Sequence, residues 1–119
     1  MVAARVPPHP FEVTLDDTGR AVIVRVRGEV DVATAPRMGE AVTRLLDDRR
    51  KVILDLGDVD FMDLHGLGVI MRATRQARSD GGSFAIARPA SCVRRLVALV
   101  HAENDIPMLP DGAGPRDVA

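Results

Sequence analysis

Residues 51–70 read KVILDLGDVDFMDLHGLGVI, and the fold turns on how this stretch is read. It opens on Val52–Leu56, a short and mostly apolar strand of the kind a sheet interior needs. A loop carrying Asp55, Asp58, Asp60 and Asp63 follows, and then a helix whose first turn holds Gly66 and Gly68. A strand that discharges onto a helix N-terminus leaves backbone N–H groups and the positive end of a dipole at the surface. In α/β domains that is a common position for chemistry or for a partner. Here the position carries His65.

The flanking sequence extends the pattern in both directions. Phe11–Leu15 alternates apolar and polar side chains, and Ala21–Val26 is a β-branched run that ends at Gly28. The turn residues DDTGR at 16–20 join the two, so they pair antiparallel. Thr34 stands where a helix N-cap is expected, with Pro36 in the first turn. Ala35, Met38, Val42, Leu45 and Leu46 then form one inward stripe. After the aspartate loop, Leu64, Leu67, Ile70, Met71 and Thr74 point inward on a second helix, which ends at Asp80-Gly81-Gly82. Ser83–Ala87 is a strand. A third helix opens at Pro89-Ala90-Ser91, with Val93, Leu96, Val97 and Val100 inward. Ile106–Leu109 is a last, short edge strand in which Pro107 lacks a donor. The order β-β-α-β-α-β-α-β predicts an α/β fold: a mixed sheet of about five strands with three main helices packed on it. Residues 1–10 are expected to be loose, 11–109 to form one domain, and 110–119 to be disordered.

Composition narrows the function. The chain has 119 residues, 46% hydrophobic, enough for one core without metals or disulfides. A net charge of −1 gives no field to collect nucleic acid or an anionic membrane. Three phenylalanines, with no Trp or Tyr, provide no platform on which bases stack in series. No stretch reaches the ~18–20 apolar residues that span a bilayer. Cys92 is the single cysteine and reads as a small helix side chain. The expected setting is the cytoplasm.

The chemical constellations are weak. The four aspartates have the oxygen donors a hard cation needs, but loop solvation explains them more simply, with Asp63 as a helix cap. A receiver-type phosphoacceptor domain needs a lysine after its last strand; the only lysine, Lys51, begins a strand. His9, His65 and His101 share no ligand spacing. No Ser or Cys sits at a strand-to-helix elbow. Gly66 and Gly68 lack the partners of a phosphate loop. Two glycines in one helical turn imply close approach by another backbone, either the chain's own sheet or a partner.

Together, RGEVDVATAP at 27–36 and VILDLGDVDFMDLHGLGVIMRA at 52–73 resemble the STAS domain in its bacterial anti-sigma-factor antagonist form. The likeness covers about Phe11 to Leu109. It implies a protein that is not an enzyme; no cofactor or metal is expected, and the chain is expected to be a monomer or weak homodimer. It implies binding to an anti-sigma factor, often a kinase of the histidine-kinase-like ATPase fold, and so release of a sigma factor. That kinase ordinarily phosphorylates a serine in the first turn of the second helix. The family's Asp-Ser-Ser-Gly is Asp63-Leu64-His65-Gly66 here, so His65 takes the phosphoacceptor position and neither middle residue has a hydroxyl. By resemblance the partner-facing patch comprises Gly28, Glu29, Asp31, Asp63, Leu64, His65 and Gly66. A second reading is a non-switching STAS scaffold or a ligand-sensing module in a signalling complex.

Overall fold

The computed structural model describes residues 9–117. Apart from His9 and Pro10, the segment expected to be loose lies outside the described residues. Four strands, β1 (Glu12–Asp17), β2 (Val22–Val30), β3 (Lys51–Met62) and β4 (Ser83–Ala87), form one sheet in sequential order. β1 and β2 pair antiparallel; β2–β3 and β3–β4 pair parallel. Helix α1 (Ala35–Asp47) follows β2, α2 (Leu64–Asp80) follows β3, and α3 (Ser91–Leu99) follows β4. No helix among the described residues is long and apolar enough to cross a membrane.

Alternation along β2 sorts its side chains between two faces. Val24, Val26 and Val30 join Leu54, Leu56, Met38, Ile70, Val93 and Val97 in the main core beneath the helices. Ala21 and Ile23 join Ile53 and Ala87 in a small cluster on the opposite face. Asp55, only 2% exposed, lies between Arg25 Nε at 3.4 Å and Arg88 Nε at 3.2 Å and accepts the Gly57 N–H at 3.0 Å. A buried carboxylate needs such partners.

The aspartate segment is not a loop. β3 runs through it to Met62, still paired with β2. The pairs Arg25↔Asp55 and Arg27↔Asp58 span one more residue on β3 than on β2, and so do Gly28↔Val59 and Glu29↔Phe61. Each extra residue is a bulge. The bulges stretch the inward spacing from two to three, so Leu56, Val59 and Met62 are all buried. β2 likewise continues past Gly28, whose φ of 91° matches the bulged register there.

The fifth strand is reduced to one bridge. Ile86 N–H donates to Pro107 O and Leu109 N–H to Ile86 O, both at 2.9 Å, and Ile86 and Met108 pair in parallel. With Pro107 and Pro110 on either side, the segment lacks the donors to extend the ladder. Val100 was expected inward, but it follows the last residue of α3 and is 40% exposed. Beyond Leu109, where no hydrophobic period guides the reading, Pro115–Asp117 makes a 3-10 turn with Pro115 buried. Arg94 and Arg116 pair with Asp111 and Asp16.

Candidate functional site

Two segments meet at the C-terminal ends of β2 and β3. Glu29 and Val30 sit opposite Phe61 and Met62, and Asp63 N–H donates to Val30 O at 3.1 Å. Residues 28–31 and 61–66 are therefore side by side.

The loop into α1 is tied by its own side chains. Asp31 Oδ1 accepts the N–H groups of Ala33 (2.9 Å) and Thr34 (3.2 Å). Thr34 Oγ1 donates to Glu29 O at 2.8 Å and accepts from Asp31 N–H at 2.9 Å. Thr34 thus holds the N-cap position without capping the helix, because the loop has claimed its hydroxyl. Gly28 is sealed from above: a Cβ there would lie 2.9 Å from the Phe11 backbone and 3.0 Å from His9 O. His9 donates its N–H to Asp60 and places Nδ1 3.1 Å from the same carboxylate.

Asp63 caps α2, as the sequence predicts. Its carboxylate accepts the His65 N–H at 2.8 Å, and His65 Nδ1 lies 3.3 Å away. Partial burial works against the ionised form, but the donated N–H groups of His65 and Gly66 and the adjacent imidazole outweigh it. The Asp63 carboxyl is held below its ordinary range.

The first turn of α2 faces outward: Leu64 is 64% exposed and His65 57%. Leu64 was expected inward. The space beneath the turn is already filled, since a Cβ on Gly66 would meet Met62 Cγ at 2.7 Å and Val30 Cγ1 at 2.8 Å. Gly66 is explained by internal packing. Gly68 is not: its Cβ would meet only the flexible end of Arg72, at 3.3 Å. Glycine in a helix costs about 1 kcal/mol relative to alanine.

Gly68 floors an open groove of about 680 Å³ between α1 and α2. Val32, Leu64, Gly39 and Val69 line it, and the end of the Arg72 side chain lies over Gly68. Val32 is 64% exposed and Phe61, on the other side of the first turn, 47%. Both residues, like the groove, were missed from sequence. The available signal was an apolar side chain directly after an aspartate, in Asp31-Val32 and Asp60-Phe61.

Of the seven residues expected in the patch, Leu64 and His65 are outward, and Glu29, Asp31 and Asp63 are half-buried. Gly28 and Gly66 are buried and shape the patch from beneath. The four aspartates do not converge: Asp55 faces arginines, Asp60 holds His9, and Asp63 caps α2. Among the described residues, no group of three or more His, Cys, Asp or Glu is placed to hold a metal. The first turn instead offers an apolar side chain and an imidazole on a rigid, capped end.

Comparison with known proteins gives a consistent picture. Residues 12–112 match the family model of the STAS domain. The chain is 32% identical over 83 residues to the anti-sigma-B factor antagonist of Bacillus subtilis (strain 168), covering 70% of this chain and 76% of that protein. It is 28% identical over 98 residues to the anti-sigma-F factor antagonist RsfB of Mycobacterium tuberculosis, covering 82% and 80%. An anti-sigma factor antagonist from Mycobacterium paratuberculosis has the same fold, with a TM-score of 0.76 at 24% identity over 88% of this chain and 90% of that one.

Proposed function

The chain belongs to the STAS domain family, and on that premise we propose that it is an anti-sigma-factor antagonist. It binds an anti-sigma factor of the kinase type and thereby frees a sigma factor for transcription. The names of its relatives support this reading. The observation that carries it is the capped, outward first turn of α2, with Leu64 and His65 both more than half exposed. Glu29 and Asp31 flank the turn, and the protein works by contact, without a cofactor, as a monomer or weak homodimer.

His65 stands where relatives of this form carry the phosphoacceptor serine, and Leu64 precedes it. A phosphate at this helix end would be tolerated by the protein itself and costly against a partner's surface. Without a hydroxyl the off-switch is lost, and binding is governed by abundance.

The test uses each kinase-type anti-sigma factor encoded in the source genome, purified and titrated calorimetrically with this protein. Formation of a stoichiometric complex with one of them is expected; binding to none refutes the reading. Incubation of that pair with ATP, followed by intact-mass measurement, is expected to leave the wild type unmodified and to add one phosphate to His65→Ser. Phosphate on the wild type overturns the lost switch.

A further inference from the structure

We propose that the groove between α1 and α2 seats an amphipathic helix of the partner, with its apolar face against Val32 and Leu64 and a carboxylate on Arg72. This inference rests on the antagonist reading and names the part of the partner that enters and where.

The groove begins at the first turn of α2, so it continues the contact surface already described. Its lining is apolar and exposed at both Val32 and Leu64, at 64% each. Gly68 has no side chain, and only the flexible end of Arg72 lies over it, so nothing rigid in this chain needs the room. A floor that yields beside apolar anchors suits a helix lying in a groove.

Charge selects the occupant. Glu40 and Arg44, on the α1 side, pair with each other at 2.8 Å and leave little net charge. Arg72 makes no hydrogen bond or ion pair among the described residues. The groove therefore carries an uncompensated cation over Gly68, with His65 at its head. A complementary segment is acidic. Arg72 turns its Nη1 back to within 3.3 Å of where a Gly68 Cβ would lie, and Gly68 is about 6 Å beyond Leu64 along α2 at about 1.5 Å per residue. That spacing asks for an Asp or Glu about one turn of partner helix from its apolar anchor. A second copy of this chain is a poorer fit. The exposed residues of its α2 and α3 that form no ion pair among the described residues include Arg75, Arg78 and Arg95, which would set arginine against Arg72.

The experiment takes the anti-sigma factor bound by the wild type and titrates it against Gly68→Gln and Arg72→Glu, after thermal unfolding has shown both variants folded. Each is expected to weaken binding about tenfold or more. Reversing the matching acidic residue of the partner helix to Arg is expected to restore binding to Arg72→Glu. Binding within about twofold of wild type by both variants overturns the groove, while loss of binding by Leu64→Asp in the same series leaves the antagonist reading standing. Failure of the charge swap overturns the carboxylate contact. Sedimentation showing a dimer that Gly68→Gln dissolves overturns the partner helix in favour of a second copy. If the wild type binds no anti-sigma factor, both readings fall together.

Discussion

Gly66 and Gly68 lie two residues apart at the start of one helix, yet alanine should move stability in opposite directions at the two sites. At Gly66 the new Cβ would sit 2.7 Å from Met62 Cγ and 2.8 Å from Val30 Cγ1. Val30 is fully buried and β-branched, so it has little freedom to turn away. Overpacking of this kind costs about 1–3 kcal/mol, and the helix-propensity gain returns about 1 kcal/mol. Gly66→Ala should therefore lose about 1 kcal/mol net. At Gly68 the nearest atom is the mobile end of Arg72, which can swing aside. Gly68→Ala should keep most of the propensity gain, up to about 1 kcal/mol. The two variants then differ by about 2 kcal/mol, or about 8 °C in Tm for a chain of this size. Urea titrations and thermal scans followed by far-UV circular dichroism read this difference directly. A Gly66→Ala protein as stable as wild type would mean that Val30 and Met62 yield freely. A Gly68→Ala protein less stable than wild type would mean that the groove floor is needed by the fold itself. Either result refutes the division of the two glycines into structural and contact roles.

Three further outcomes are expected. Gly28→Ala combines a left-handed φ of 91° with a 2.9 Å clash against the Phe11 backbone, and should lose about 3 kcal/mol in chemical denaturation. The Asp63 carboxyl sits below its ordinary range in the folded protein, so its ionised form contributes stability above about pH 4, lost as pH falls through the folded value. Asp63→Asn, which still caps, should flatten that acid limb in urea titrations across pH, while Asp63→Ala should also lose about 1 kcal/mol at neutral pH. Asp55→Ala leaves two guanidinium groups and the Gly57 N–H without their acceptor, and should cost about 2 kcal/mol by the same denaturation assay.

Where a hydrophobic period holds, the sequence alone located the elements. β1 and β2, the stripe Ala35–Met38–Val42–Leu46 of α1, and the stripe Leu67–Ile70–Thr74 of α2 follow from alternation or helical spacing. The period fails where backbone geometry changes the count. β3 was cut short at Leu56 because two bulges space its later buried residues by three, so the aspartates between them read as loop. Element ends misled for another reason. Leu64 and Val100 lie on the inward stripes of their helices, but at those ends nothing remains to cover them. At the site, the Asp63 cap was legible from its position before the helix. The roles of Gly28 and Gly66 were not, because each depends on a neighbour distant in sequence or on a strand beside it: Phe11 for the first, Val30 for the second. The groove was invisible for the same reason, since it belongs to two helices at once.

The two surplus residues in β3 also make the docking turn sensitive to arithmetic. Because the ladder with β2 resumes after each bulge, losing one residue between Gly57 and Phe61 would force a choice on the chain. Either Val59 and Met62 leave the interior, or the start of α2 is pulled back by one strand step and turned about its own axis. In both cases Leu64 and His65 would point elsewhere with their own identities unchanged. Sequence length upstream of the turn, more than the residues in it, aims the contact surface, and single-residue deletions there should abolish binding where most substitutions at exposed Asp58 would be silent.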